Sequence, residues 1–175
     1  ESDFEYCLRE QKKNMAHHLH RLEAIYLFDE PELDHHKFSL DQQAAAVRAS
    51  KRVFPGVPTY IAYYENDVKS PVGLDYRGVQ LYDPKEAKGK KFRERMEENA
   101  DASRDPNTKL IPIYRTFTND RRGWNVENTR EYMDKALREF TEYYEPDGKI
   151  GGVMFYVWDG EQSEGRDPEL HFQNG

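Results

Sequence analysis

The chain has 175 residues with 33 acidic against 26 basic side chains, and its formal net charge of -7 argues against a nucleic-acid surface as the main function. Charged residues make up 34% of it and no apolar run approaches the roughly 20 residues of a membrane span, so no membrane partner is expected. The length fits a single α/β domain over residues 1–175, or a large part of one, and the lone Cys7 excludes an intramolecular disulfide and a cysteine-based zinc site. Phe4, Leu8, Met15, His18, Leu19 and Leu22 recur at helical spacing behind a Ser2-to-Glu5 capping box, which predicts a first helix. A continuous apolar strand, Ala24 to Phe28, follows and runs straight into Asp29, Glu30 and Pro31. Ser39 and Gln42 form a second capping box and open a helix through Ala44, Ala45, Ala46 and Val47 that stops before Pro55-Gly56.

Thr59 to Tyr64 reads as the next strand, ending at Glu65-Asn66, and Gly78 to Tyr82 as a third. Asp83-Pro84 has the form of an N-cap with proline at the first helical position, ahead of a charged helix ending near Asn99. Leu110 to Tyr114 makes a fourth strand, in which Pro112 signals a bulge or a sheet edge. A loop with Trp124 leads to a helix carrying Met133, Ala136, Leu137, Phe140 and Tyr144. Pro146-Asp147-Gly148 then turns the chain into a last strand, Val153 to Trp158, closed by Asp159-Gly160, and residues 161–175 form an irregular polar tail. Strands alternating with helices predict βα architecture around a parallel sheet. Two closures fit: an open doubly wound parallel sheet of about five strands, or a (β/α)8 TIM barrel, which typically takes about 250 residues. In the second case the chain supplies about the last five βα units, and a homodimer or a second segment completes the barrel.

Three segments resemble the carboxyl-terminal part of glycoside-hydrolase-like (β/α)8 barrels. Tyr26-Leu27-Phe28-Asp29-Glu30-Pro31 is similar to the acidic end of a fourth barrel strand, and Val79-Gln80-Leu81-Tyr82-Asp83-Pro84 to a sixth strand ending in Tyr-x-Pro. Gly152 to Trp158 is similar to a last strand whose tryptophan floors the sugar pocket. The resemblance implies a glycosidase acting on a carbohydrate substrate without cofactor. Glu30 would be the general acid and Asp29 the neighbour that orients an acetamido group. Tyr82 would contact the ligand and Trp158 would be its stacking platform. It also tilts the compartment, which the residues leave open, towards secretion or the periplasm.

Glycoside hydrolysis needs a protonated and an ionised carboxyl flanking the bond, about 5 Å apart for retention and about 6.5–9.5 Å for inversion. Acids at strand ends are Asp29, Glu30, Glu65, Asp83 and Asp159, and Glu65, closing the neighbouring strand, is the best second carboxylate. Adjacent strand residues point to opposite faces, so Asp29 and Glu30 share a pocket only if the chain bends there, and Pro31 supplies a reason to bend. Asp83 fits an N-cap and Asp159 a turn, although Asp159 beside Trp158 could also meet a sugar hydroxyl. Arg115 follows a strand and could donate to a hydroxylated ligand, and Trp124 in its polar loop could be a subsite platform or a loop pin. His17, His18 and His20 lack the i, i+4 spacing of a metal-binding helix and His35-His36 lack a third ligand, so no metal site is expected.

Two other functions compete. Leu-Phe-Asp-Glu-Pro also looks like the Walker B strand of ABC-type ATPases, but the sequence has no phosphate-cradling Gly-x-x-x-x-Gly-Lys-Ser/Thr loop. A non-catalytic carbohydrate-binding or scaffold barrel would keep the aromatics and tolerate loss of Glu30.

Overall fold

The computed structural model describes residues 2–33, 37–81, 89–115, 126–139, 141, 148 and 150–156. Helix α1 spans Asp3–Asn14 and is followed by a tight 3-10 turn over Ala16–Arg21. Strand β1 is Ile25–Asp29, helix α2 Leu40–Val53, strand β2 Thr59–Tyr63 and strand β3 Tyr76–Leu81. Helix α3 covers Gly89–Ala102, strand β4 Lys109–Arg115, helix α4 Val126–Glu139 and strand β5 Met154–Tyr156. All neighbouring strands pair parallel. The first four make the body of an open sheet and the short β5 extends it, in the order β1-β2-β3-β4-β5.

That sequential order has no reversal, so the sheet is wound in one direction and the expected doubly wound arrangement, which needs a switch point in the strand order, does not occur. The helices accordingly share one face. Val47 of α2 packs on Ile61 and Tyr63 of β2, and Met96 of α3 and Tyr132 of α4 pack with Val79, Leu81, Leu110 and Tyr114. The opposite face carries Tyr60, Ala62 and Ile113, with Tyr76 and Ile111 beside them. Gly78 keeps that face shallow: a Cβ there would collide with the Tyr60 hydroxyl and stand 2.9 Å from Ile113 Cδ1. Tyr60 therefore lies across β3 and its hydroxyl reaches the Met154 sulfur at 3.8 Å.

The helix starts follow their capping signals. Ser39 and Gln42 form the full capping box of α2, whereas Ser2 makes only half of one, accepting from the Glu5 N–H at 3.2 Å. The Glu5 carboxylate is engaged elsewhere, by Arg9 at 2.9 Å and by Arg52 of α2 at 2.6 Å, which docks α1 onto α2. The first helical pattern also ends earlier than its periodicity predicts, because Met15 breaks into the 3-10 turn. Pro112 marks no edge: β4 lies between β3 and β5, and Pro112 stays in register with Val79. What lapses is the pairing with β5, between the Leu110–Ile150 bridge and the Ile113–Met154 pair, alongside a residue with no N–H to give. The register also shifts there by one residue, Leu110 facing Ile150 but Ile113 facing Met154, and a second irregularity falls in β1, between Tyr26 and Phe28.

One crossover is unusual. Between β2 and β3 no helix intervenes, and residues 64–75 run as a loop. A helix satisfies its own carbonyls, whereas a loop cannot. Here the fully buried Arg77 of β3 supplies the missing donors, to the carbonyls of Val68 at 2.8 Å, Asn66 at 3.1 Å and Glu65 at 3.3 Å. Leu74, also buried, fills the place of a helix side chain against Val47, Ile61 and Tyr63.

Candidate functional site

In a parallel sheet all carboxyl ends meet at one edge, and here that edge gathers Asp29, Glu30 and Glu65. Three local irregularities set their positions. The bulge in β1 puts Leu27 and Phe28 together against the helix-side core, which shifts the alternation by one and lands Asp29, paired with Ala62, on the helix-free face. There Asp29 accepts from the Tyr26 hydroxyl at 2.6 Å, and Tyr26 stacks on Tyr60 with ring centres 4.8 Å apart.

The second irregularity is Glu30. Its φ of 47° makes it the one non-glycine residue with positive φ among those described. The predicted bend thus occurs at Glu30, one residue before Pro31, and separates it from the strand's alternation. Its N–H donates to the Ala62 carbonyl at 2.9 Å and its carbonyl accepts from Leu33 at 3.1 Å, closing a turn with Pro31 at the second position. A glutamate held in the left-handed region is strained by roughly 1–2 kcal/mol.

The third is the helix-free crossover, which holds Glu65. Its N–H and that of Tyr64 both donate to one oxygen of Glu32, at 2.9 and 2.6 Å. The other Glu32 oxygen, Oε2, is buried without a hydrogen-bond partner. Glu32 ties the turn after β1 to the loop after β2, and so fixes Glu30 relative to Glu65. Sequence reasoning passed over it. Its spacing in Glu30-Pro31-Glu32 differs in nothing visible from that of its acidic neighbours.

Arg77 was missed as well, since it precedes the run read as strand. Its Nε donates to Asn99 Oδ1 at 2.7 Å and its guanidinium lies 4.1 Å from the centre of the Tyr63 ring. Burial pushes its pKa down to about 10, which leaves it charged at neutral pH, with the Tyr63 hydroxyl and the Glu32 and Asp67 carboxylates acting in the other direction. Burial likewise raises the pKa of Tyr63, whose hydroxyl donates to Gln43 Oε1 at 2.6 Å. On the far side of the loop, Asn66 joins α3 through Arg95 at 3.1 Å, Asn99 at 3.0 Å and Glu98 at 2.9 Å.

Arg115 ends β4 opposite Tyr156, at the same sheet edge as the acids, with its backbone described. Tyr82, Asp83, Trp124, Trp158, Asp159, His35, His36 and the tail 161–175 lie outside the described residues. Among the described residues no group of three or more His, Cys, Asp or Glu is placed to hold a metal ion, and no helix is long and apolar enough to cross a membrane. No family model, no curated protein and no solved structure matches the chain.

Proposed function

We propose that the chain is the strand-and-acid portion of a carbohydrate-active (β/α)8 barrel, with Glu30 as general acid and Glu65 or Asp29 as the assisting carboxylate. The observation that carries it is the left-handed turn at Glu30, which sets two successive acids at the carboxyl end of β1 beside the Glu65 loop of β2. Sequential winding with helices on one face is the way a barrel sheet is built, and barrel chemistry belongs at the carboxyl ends of its strands. A glutamate held off-alternation by a strained backbone is the kind of feature that clusters at active sites. Tyr82, Trp124, Trp158, Asp159 and Arg115 would supply the sugar contacts. A closed barrel requires strands beyond β1 to β5, contributed by a second segment or a second copy of the chain.

The test is product release from a broad panel of oligosaccharides, read by mass spectrometry, with wild type and Glu30→Gln side by side. Wild type should release product and Glu30→Gln should lose about 10²–10⁴-fold in rate. Full activity in Glu30→Gln would remove Glu30 from the mechanism, and no release from wild type would reject a self-sufficient hydrolase, leaving a sugar-binding domain or an incomplete barrel.

A further inference from the structure

Tyr63 is 1% exposed and the next residue, Tyr64, is 53% exposed, so the chain leaves the core within one step at the carboxyl end of β2. An exposed tyrosine is ordinary in itself. The anchoring of this one is unusual. Its N–H donates to Glu32 Oε1 at 2.6 Å, and its carbonyl accepts from Arg95 of α3 at 3.5 Å. The Glu65 N–H meets the same Glu32 oxygen, and the Glu65 and Asn66 carbonyls turn inward to Arg77. The Asn66 side-chain oxygen accepts from Arg95 and Asn99. Residues 64–66 are thus tied to the turn after β1, to β3 and to α3, while the side chains of Tyr64 and Glu65 are left at the surface.

A fixed backbone beneath exposed side chains is how a loop on a rigid scaffold carries ligand-contacting residues. A tyrosine has only two side-chain torsions, so its ring offers a broad flat surface at low entropic cost. The ring is open to solvent, and a ligand reaches it without displacing any core residue. The C–H face of a pyranose can stack on such a ring while its hydroxyls stay free for a neighbouring carboxylate. Tyr26, at 52%, is equally exposed, but it lies within β1 at the open edge of the sheet, where strands completing a barrel would cover it. Loops at the carboxyl ends stay accessible in that architecture, so Tyr64 keeps its exposure either way.

We infer that Tyr64 is a substrate-binding residue whose ring stacks on a pyranose and holds it beside Glu65. The choice of a saccharide rests on the carbohydrate reading above; the anchored, exposed ring does not.

The experiment is isothermal titration of wild type, Tyr64→Ala and Tyr64→Phe with cellotetraose, xylotetraose, mannotetraose and chitotetraose, alongside thermal melts. At least one sugar should bind wild type. Tyr64→Ala should bind it about 3- to 10-fold more weakly, and Tyr64→Phe, which keeps the ring, within about twofold of wild type. Both variants should melt within about 2 °C of wild type, because more than half of the side chain is already in solvent. Unchanged affinity in Tyr64→Ala, an equal loss in Tyr64→Phe, binding of none of the four sugars by wild type, or weaker binding together with a fall in Tm of more than about 4 °C would each overturn the assignment. Hydrolysis plays no part in this readout. Binding indifferent to Tyr64 would reject the platform and keep the carbohydrate reading, whereas Tyr64-dependent binding without product release would reject a self-sufficient hydrolase and keep the platform.

Discussion

Replacing Arg77 by methionine tests whether one buried guanidinium takes the place of the missing helix between β2 and β3. The substitution keeps much of the apolar volume and removes the donors to Asn99, Val68, Asn66 and Glu65, together with the contact on the Tyr63 ring. A hydrogen bond from a charged donor contributes about 1.5–3 kcal/mol, but the bonds at 3.1 and 3.3 Å belong at or below the low end. Against their sum stands the desolvation of the guanidinium, which the variant no longer bears. The usual outcome of removing one member of a buried charged network is a loss of about 3–5 kcal/mol. With about 2–4 °C of Tm per kcal/mol for a chain of this size, Arg77→Met should melt about 6–20 °C below wild type by far-UV circular dichroism. Arg77→Lys, a single point donor in place of a fork, should fall between the two. Amide exchange should accelerate first in residues 64–75, while α2 and β4 keep their protection. A Tm within about 3 °C of wild type, or faster exchange spread evenly over the chain, would refute the idea that Arg77 clamps the crossover.

The other expectations are local. Glu32→Ala removes the acceptor shared by the Tyr64 and Glu65 N–H groups, so those two amides should exchange about tenfold faster or more, from a loss of about 1–3 kcal/mol; unchanged protection there would show that Glu32 does not hold the loop. Glu30→Gly relieves the left-handed strain at about the entropic cost of a glycine, so Tm should stay level or rise by about 1–3 °C. A fall of more than about 4 °C would mean that the Glu30 side chain supports the fold. Hydrogen bonds from Arg52 and then Arg9 hold Glu5 below its usual pKa of 4.5, so the stability it contributes is present above that value and is lost as the pH falls through the lower folded pKa. Melts between pH 6 and 3 should therefore show a flatter acid limb for Glu5→Gln than for wild type, and superimposable limbs would exclude the α1–α2 ion pair as a source of acid sensitivity.

Much of the fold was legible in the sequence because regular elements announce themselves chemically. Apolar strands, two helix starts marked by serine, and the acids Asp29, Glu30 and Glu65 at the ends of β1 and β2 follow the sequence pattern within a few residues. What escaped depends on parity and long-range contact. The run Ile25-Tyr26-Leu27-Phe28 has no alternation to read, so nothing in it discloses the bulge that moves Asp29 to the helix-free face. Periodicity continues through Met15 and Leu19, so it could not reveal that the helix gives way to a tighter turn. Arg77 looked like a flanking charge because its partners, carbonyls 9 to 12 residues earlier and an asparagine 22 later, are visible only after folding.

Most of the irregular features, apart from the β4–β5 lapse beside Pro112, sit in one part of the sheet. The β3–β4 pair runs in unbroken register from Tyr76–Lys109 to Leu81–Tyr114. The bulge, the left-handed glutamate, the half-satisfied Glu32 carboxylate and the helix-free crossover all fall on β1, β2 and the turns that leave them. Each departs from the arrangement of lowest local free energy, and they fall where the proposed function expects such departures. Together they present three carboxylates at a single sheet edge and brace two of them through Glu32. A glycine at position 30 would have made the same turn without strain, so it is the carboxyl group, rather than the backbone geometry, that gives a reason for glutamate there.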